Sequence, residues 1–547
     1  MQLIYSKIGE DFFMITASSV VDVLIVGAGP TGLTLACDLA RRNVNHRMIE
    51  RSATYNVASR AKTIQPRALE VADDLGAVRH IVDTGVVDLP VRYYTADGQV
   101  VDTPPIAVAA SAELETPYQD PVWIAQYDVE KALRDRYAAL GGQIEMGVEA
   151  VELEQDGDGV TVTVHTPQGE ERIRARYVVG ADGGKSNIRK FIQLPLVGKT
   201  YDQERWYLGD VRLEGEGLDR DRIHIWTSPE GMVGVTPLPQ SDIWQLQATI
   251  PADVEDPEEP SLEAYQAMLD RRAGARRVRL TDASWLSMYR INVRMVESYR
   301  NGRVFLAGDA AHVHSPAGGQ GMNTGVQDAY NLGWKLDAVL RGADPALLDT
   351  YDEERRPVAR AVLEDSTRKM GGIVGTATEG GALAQSLSDV TDDLTSGLLI
   401  AYPSSSLTRS SARTNAARAL PGDRAPNAEG LLGAGFAGSV FDLLRGPHWT
   451  LLAFVDRTDR LSLADVTCDE LRVHRILPAH AEGAGAEAAD AAEAGIIDKA
   501  GNAYRIYDVA SEELVLIRPD GYIALRASIE DAASISHYLQ AIYSPIN

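Results

Sequence analysis

The stretch 20–50, VVDVLIVGAGPTGLTLACDLARRNVNHRMIE, decides the fold. Its opening, Val20–Ala28, is a short apolar and β-branched run ending at glycine, the pattern of a strand buried in a parallel sheet. Helix-forming sequence follows, with apolar residues at Leu33, Leu35, Ala36 and Leu39, and Asn43–Glu50 reads as a second strand. Strand, glycine turn, helix and strand within about 30 residues make a βαβ unit. Gly27-Ala28-Gly29-Pro30-Thr31-Gly32 places GxGxxG at the strand-to-helix turn. There the glycines permit a tight turn, backbone approach to a pyrophosphate and close helix–strand contact, while unpaired helix N–H groups face the phosphates. Glu50 follows Gly32 by 18 residues. A carboxylate at that strand end holds both hydroxyls of an adenosine ribose and disfavours a 2′-phosphate, so FAD or NAD is expected rather than NADP.

Around this unit the chain has 547 residues, which at roughly 100–200 residues per domain predicts two to four domains. Hydrophobic residues make up 45% and charged residues 24%, a globular composition that excludes a wholly disordered or fibrous chain. Against 78 Asp+Glu stand 53 Lys+Arg, a net charge of -25. Such a field repels phosphate backbones and anionic lipid, so neither nucleic acid nor a membrane surface is an expected partner. No stretch approaches the roughly 20 apolar residues of a membrane span. Residues 1–19 read as an N-terminal extension, with Glu10 and Asp11 where a signal peptide would be apolar. Two cysteines, Cys37 and Cys468, make neither a disulfide framework nor a Cys-rich metal site, and a cytoplasmic location is expected.

Further along, Pro66–Leu75 and Val129–Leu140 read as helices, the second stopped by Gly141-Gly142. Alternation in GVTVTVHT, after a hairpin-like DGDG, predicts antiparallel strands around 148–178. Residues 195–295 read as a sheet presenting Trp206, Tyr207, Trp226 and Trp244, either as packing or as the walls of a site. Helical pattern resumes at Gly325–Leu340 and again beyond Asp349. The polar run Pro403–Arg413 and Pro421-Gly422 predict a linker. TLLAFV (450–455) and ELVLIRPDG (513–521) are strands of a small α/β module, within which Ala481–Gly495 reads as an exposed low-complexity loop. The expected units are therefore an extension (1–19), a dinucleotide-binding domain in two parts (20–194 and 296–402), a middle sheet (195–295), a linker (403–424) and a C-terminal domain (425–547).

A second constellation decides between the two nucleotides. RVFLAGD (303–309) is an apolar strand ending at Gly308-Asp309, followed by AAHVHSPAGGQGMN and a helix. A flavin requires such a second strand end because its ribityl-diphosphate arm is gripped twice. Asp309 can accept hydrogen bonds from ribityl hydroxyls beside Gly308. The turn Gly318–Gly321, which includes Gly319, brings N–H groups near Met322 and Asn323 to the pyrimidine oxygen, where charge gathers on reduction. FAD is thus the expected cofactor. His312 and His314 sit at i, i+2 spacing without a wider Cys, Asp or His cluster, and no metal is expected.

With these motifs in place, the chain resembles the class A flavoprotein monooxygenases, single-component FAD-dependent aromatic hydroxylases. The likeness is to the branch with an added C-terminal domain, the phenol, phenylpropionate and polyketide hydroxylases. It is carried by GDAAHVHSPAGGQGMNTGVQDAYNLGWKL (308–336), by Asp182-Gly183-Gly184-Lys185-Ser186-Asn187-Ile188-Arg189 after the strand YVVGA, and by LLDTYDEERRPVA (347–359). More loosely, LLRGPHWTLLAF and LIRPDGYIALR resemble the thioredoxin-like domain of that branch. The resemblance implies an α/β architecture: a Rossmann-like FAD-binding domain, an inserted mostly antiparallel β-sheet substrate domain and a C-terminal thioredoxin-like α/β domain. Without a Cys-x-x-Cys the last is not a redox catalyst but a structural or assembly element.

By the same resemblance Gly27, Gly29, Gly32, Glu50 and Arg51 bind the adenosine diphosphate half of FAD. Arg60 contacts the pyrophosphate, with Arg67 its rival by register, and Gln126 contacts the ribityl region. Gly308 and Asp309 hold the ribityl or pyrophosphate, and Gly319, Gly321, Met322 and Asn323 line the ring. Pro316 positions flavin edge and substrate. Asp182 supports FAD and a passing nicotinamide, or else pairs with Arg189 and caps a helix. Trp206, Trp226, Trp244 and Tyr289 are the substrate walls. The implied reaction is hydroxylation of a phenolic, polyketide-type aromatic: NADPH or NADH reduces the flavin, O2 adds at C4a, and the hydroperoxide passes its distal oxygen to the ring. No side-chain nucleophile is required, and a homodimer is the expected assembly. Baeyer–Villiger oxygenation, epoxidation, an FAD oxidase or dehydrogenase, and a non-catalytic flavin-binding module are the alternatives.

Overall fold

The computed structural model describes residues 20–105, 115–274, 278–315, 319–376, 393–409, 418–433, 435–458, 470–480 and 495–543, without the side chains of 202–204, 371–376 and 393. The chain opens with β1 (Val21–Val26), α1 (Pro30–Arg41) and β2 (His46–Glu50), the expected βαβ unit. There follow β3 (Thr63–Ile64), α2 (Pro66–Asp74), α3 (Val78–Thr84), β4 (Val91–Tyr94), β5 (Val100–Thr103), β6 (Val122–Trp123) and α4 (Gln126–Ala139). Next come β7 (Ile144–Met146), β8 (Glu149–Gln155), β9 (Val160–Thr166), β10 (Gly169–Gly180) and α5 (Asn187–Phe191). The middle of the chain holds β11 (Val197–Gly215), β12 (Ile223–Ser228), β13 (Gly231–Pro237), β14 (Ile243–Ile250), α6 (Leu262–Arg272) and β15 (Val278–Met295). It returns through β16 (Arg300–Asn301), β17 (Val304–Leu306), β18 (His312–Val313), α7 (Gln320–Leu340) and α8 (Asp349–Thr376).

The dinucleotide half is built on the strand order β16-β17-β10-β1-β2-β7. β1 lies parallel to β10 and β2, and β10 parallel to β17. β1 is central in this sheet, and Val23, Leu24 and Ile25 are fully buried, which is why the run after Asp22 is continuously apolar. Pro30 opens α1 at a position whose N–H would have no intrahelical partner. The expected antiparallel ladder is β8-β9-β10.

The second sheet runs β18-β15-β11-β14-β13-β12-β4-β5. It is not confined to residues 195–295. β4 lies parallel to β12 (Ile223↔Val91) and brings β5 with it, so residues 91–103 leave the first segment to complete the sheet. The partner of β4 lies some 130 residues ahead, and VRYY by itself carries no sign of it. Alternation sorts the side chains into two cores. Trp206, Tyr93, Ile223, Ile225 and Met232 face the dinucleotide half, joined by Trp123 and Met370. Tyr207, Trp226, Trp244, Val233 and Leu246 face the other way, under α6.

The C-terminal residues form a seven-stranded sheet: β19 (Glu429–Gly433), β20 (Phe436–Ser439), β21 (Trp449–Phe454), β22 (Leu471–Pro478), β23 (Ile496–Asp498), β24 (Glu513–Ile517) and β25 (Ile523–Ser528), in the order β20-β19-β23-β22-β21-β24-β25. One face has its own core around Leu452, Phe454, Val515 and Tyr507. The other face contributes Trp449, Leu451, Leu514 and Leu516 to the same continuous core as β1 and α7, with Trp449 edge-on to Trp334 at 5.6 Å. The expected linker is not a free tether. Its described residues run along β25, with Arg409 N–H donating to Ala524 O at 3.0 Å and Gly422 N–H to Ile523 O at 2.7 Å. Backbone pairing to β25 explains a polar composition that resembles a linker. Cys468, the loop 481–494 and residues 1–19 lie outside the described residues.

Candidate functional site

The first glycine turn is shaped by close contacts. Gly27 has φ +109°, and a Cβ there would stand 2.4 Å from Ala181 O; a Cβ on Gly32 would stand 2.0 Å from Gly27 O. Gly29 differs, since a Cβ on it would meet nothing within 4 Å. Its surface is an open cradle at the N-terminus of α1, where a pyrophosphate would lie. Glu50 ends β2 with both oxygens engaged, Oε2 accepting from Ala28 N–H and Oε1 from Ser52 N–H, each at 2.9 Å. A carboxylate oxygen has a second lone pair, so ribose hydroxyls remain within its capacity. Arg51 is exposed beside it. Gly29→Ala is accordingly expected to leave the melting temperature of the apoprotein unchanged while weakening FAD binding roughly tenfold or more. Gly27→Ala is expected to destabilise the apoprotein itself by about 1–3 kcal/mol. Thermal melts and FAD fluorescence titration of both variants check the contrast.

The second turn meets the first at one side chain. Gly308 has φ +59°, and a Cβ there would stand 2.6 Å from Thr31 Oγ1; a Cβ on Gly325 would stand 2.3 Å from the same atom. Asp309, in the single turn after β17, is exposed and makes no hydrogen bond or ion pair among the described residues. Behind it lies a fully buried cluster that the sequence reading did not assign, although Asp328 stands within the quoted motif. Asp328 Oδ2 accepts from Gly308 N–H at 3.2 Å and from His312 Nε2 at 2.7 Å, while Oδ1 accepts from Arg355 Nε at 2.7 Å. Burial opposes its ionisation, but Arg355 and His312 outweigh burial and hold the carboxyl below the ordinary carboxylate range. Among the described residues no group of three or more His, Cys, Asp or Glu is placed to hold a metal.

Further along, Gly319 precedes α7 with φ +60°, and a Cβ there would stand 2.5 Å from Thr63 Oγ1. The Asn323 side chain ties this helix start to β3: it accepts from Gln65 N–H at 2.8 Å and donates to Thr63 O at 3.2 Å and Gly319 O at 2.7 Å. Gly321 and Met322 are half-exposed in the first turn of α7, where helix N–H groups have no intrahelical acceptor. Pro316 lies outside the described residues.

The remaining candidates separate cleanly. Arg60 is exposed on a turn clamped from both sides. Ala61 N–H donates to Gln126 Oε1 at 3.1 Å, Ser59 N–H donates to Asp210 Oδ2 at 2.6 Å, and Gln245 Nε2 donates to Ser59 O. Gln126 thereby braces the turn, its amide also donating to Glu130 at 2.8 Å. Arg67, the rival of Arg60, is buried against Glu70 (2.7 Å) and Asp520 O (2.7 Å), away from the glycine turns. Asp182 Oδ2 caps α5 through Asn187 and Ile188 N–H groups, and Oδ1 is buried without a partner. Arg189 donates to Ala310 O and Gly184 O, so it braces the turn of Asp309 instead of pairing with Asp182.

Of the four expected substrate walls, Trp206 and half-buried Tyr289 oppose one another across β11 and β15 and face the dinucleotide half. Trp226 and Trp244 do not. They lie on the far face, Trp226 stacked on Tyr94 at 4.9 Å and Trp244 under Arg220 at 4.7 Å. Trp123, which the sequence reading left unassigned, joins the inner wall from β6. Two rungs along the same inner face the surface turns polar, with Asp210 opposite Gln245, and with Gln247 and Thr236 beside Lys62. Burial pushes the Asp210 carboxyl up to about 6, Ser59 N–H opposing.

The open cradle at Gly29, the exposed Asp309 and the free buried oxygen of Asp182 fit FAD, stretched between two turns that meet at Thr31. Fold and site define a class A flavoprotein monooxygenase, with the two glycine turns in the half that faces the second, mixed sheet. The family model described as "FAD binding domain" matches residues 20–366, and the chain belongs to that family. Over 532 residues it is 38% identical to a flavin-dependent monooxygenase of Mycobacteroides abscessus, covering 95% of this chain and 99% of the relative. It is 34% identical to the 6-methylpretetramide 4-monooxygenase of Streptomyces rimosus, with 95% and 93% covered. Among solved structures, aklavinone-11 hydroxylase in a ternary complex with FAD and aklavinone superposes with a TM-score of 0.78 at 27% identity, covering 96% of this chain and 99% of that one. The protein is an FAD-dependent monooxygenase, and its relatives act on aromatic and polyketide compounds. No described helix is long and apolar enough to cross a membrane.

Proposed function

We infer that the enzyme hydroxylates a phenolic, polyketide-type aromatic in the cytoplasm, using O2 and NADPH or NADH. The observation that carries this reading is the inner face of the second sheet. An aromatic end (Trp206, Tyr289, Tyr93, Trp123) passes within two rungs into a polar lane (Gln247, Thr236, Lys62, Asp210, Gln245), matching a fused ring system with phenolic oxygens at one edge. Bound FAD, reduced by the nicotinamide, supplies the chemistry that activates O2; the protein's part is to place the ring and exclude water. The balance is one O2, one nicotinamide hydride and one proton consumed, one oxygen inserted and one water formed. A cleft of about 810 Å³ beside the Asp182 motif, lined by Lys185, Arg189, Lys190 and Arg294, supports docking of a phosphorylated nicotinamide on a chain of net charge -25. The C-terminal sheet is read as a thioredoxin-like module with a structural role.

Phenolic polyketides that bind are expected to stimulate NADPH or NADH oxidation, with one 18O from 18O2 appearing in the product as a ring hydroxyl by mass spectrometry. Ring expansion to a lactone would mark Baeyer–Villiger insertion instead. Reduction of the flavin by substrate alone, without nicotinamide, would show an oxidase or dehydrogenase.

A further inference from the structure

Lys62 lies one residue before β3, and its carbonyl accepts from Ile124 N–H at 3.0 Å, which fixes its backbone to the segment after β6. The next residue, Thr63, is held by Asn323 from the first turn of α7, the expected ring end of the cofactor site. From this ribbon the lysine side chain reaches the inner face of the second sheet. There Nζ donates to Thr236 Oγ1 at 3.1 Å and to Gln247 Oε1 at 3.0 Å. Both partners are neutral, and burial alone pushes the amine down to about 7. A neutral amine has two N–H bonds and one lone pair. Thr236 and Gln247 take the two N–H bonds, so the lone pair is left to accept a proton.

The aromatic end lies close by. Gln247 stands opposite Leu208 on β11, and two residues along the same face of that strand is Trp206, itself opposite Tyr289. Two residues of strand span roughly 6–7 Å, about the width of one fused ring beyond a stacked one. Resting on the hydroxylase reading above, we propose that Lys62 is the catalytic proton acceptor for the substrate's phenolic hydroxyl. With the ring system against Trp206 and Tyr289, the O–H bond breaks, its electron pair stays on oxygen and the proton passes to Nζ, leaving an ammonium beside a phenolate. The phenolate feeds electron density to its ortho and para carbons, where an electrophilic oxygen is received. When the oxygenated carbon sheds its own hydrogen as a proton, the first proton returns to the phenolic oxygen and Lys62 ends the turnover neutral.

Other ionisable groups frame this lane: Asp210 from β11, Tyr289 from β15, Arg60 from the preceding turn, and Glu130 from α4 behind Gln126. Burial raises the Asp210 carboxyl as well, so a pH limb that survives the loss of Lys62 belongs to Asp210.

The test uses the FAD-loaded enzyme with 4-nitrophenol as probe and no nicotinamide, reading the phenolate band by difference absorbance against pH, with flavin content and melting temperature recorded for each variant. The wild type is expected to ionise the bound probe about one pH unit or more below the free probe. Lys62→Met is expected to abolish that shift, and with a phenolic substrate to lose the rise in kcat/KM centred near 7 and roughly 100-fold of its plateau. Lys62→Arg keeps a permanent cation, so the bound probe stays ionised, yet the limb near 7 disappears because a guanidinium takes no proton. A Lys62→Met enzyme that ionises the probe as wild type does, or a limb near 7 that persists in both variants, overturns the proposal. Oxygenation of a phenol without any probe shift removes the proton acceptor and leaves the hydroxylase reading standing. A probe shift that depends on Lys62, in an enzyme that oxygenates no phenol, does the reverse.

Discussion

Arg518→Met is expected to cost the folded protein about 3–5 kcal/mol, since it leaves buried Asp520 without its cation and Glu354 with Lys335 alone. Arg518 donates to Glu354 Oε1 at 2.5 Å and Oε2 at 2.9 Å, and to Asp520 at 2.9 and 2.6 Å. Glu354 also accepts from Lys335 at 2.7 Å and Asn331 at 2.8 Å, and Trp334 Nε1 donates to Asp520 at 3.0 Å. None of these charged side chains is more than 1% exposed, so water cannot replace the lost guanidinium. The network joins α7 and α8 to the loop between β24 and β25, and α7 packs its Gly325 against Thr31 of the first glycine turn. Both the melting temperature and the FAD retained on purification are therefore expected to fall together. A variant that melts like the wild type would mean that this charge network adds nothing to the docking of the C-terminal sheet.

Acid is expected to weaken the same joint. Burial raises the proton affinity of Glu354, but Arg518 and Lys335 outweigh it and hold the carboxyl well below its ordinary value. The unfolded chain then takes up this proton at higher pH than the folded one. The stabilisation is complete near neutrality and is lost as pH falls through and below the ordinary carboxylate range.

Asp309→Ala is expected to yield a nearly colourless protein that is still folded. The carboxylate is exposed and makes no hydrogen bond or ion pair among the described residues, so the fold loses neither with it. For FAD, losing charge-assisted hydrogen bonds costs about 1.5–3 kcal/mol, roughly 10- to 150-fold in Kd. The ratio of flavin to protein absorbance after purification, with a melt of the apoprotein, decides it. Full yellow colour in this variant would show that the second turn does not grip the cofactor.

These two expectations come from different sources. Asp309 was proposed from the sequence because a strand ending in Gly-Asp before a glycine-rich turn fixes backbone geometry locally, as GxGxxG does at Gly27–Gly32. Local spacing dictates such turns, and the structure adds only that both meet at Thr31. Arg518 was not legible. RPDG stood at the end of the run read as a strand, whereas the strand stops at Ile517, and nothing in those four residues announces that Glu354, 164 residues earlier, is the partner of Arg518.

By itself, then, the sequence determined the βαβ nucleotide unit, the second strand end, the antiparallel middle sheet and the cofactor they share, because each is written in spacings of a few residues. Only the tertiary structure decided which tryptophans face the cofactor half. Alternation says that Trp206 and Tyr207 point opposite ways, but not which way is inward, and Trp226 and Trp244 fell on the outer face. Tertiary packing also chose Arg60 over Arg67 for the open turn and carried β4 and β5 into the distant sheet. It set Lys62 between two neutral partners as well. Burial and long-range pairing are properties of the assembled chain, and no window of sequence contains both sides of such a contact.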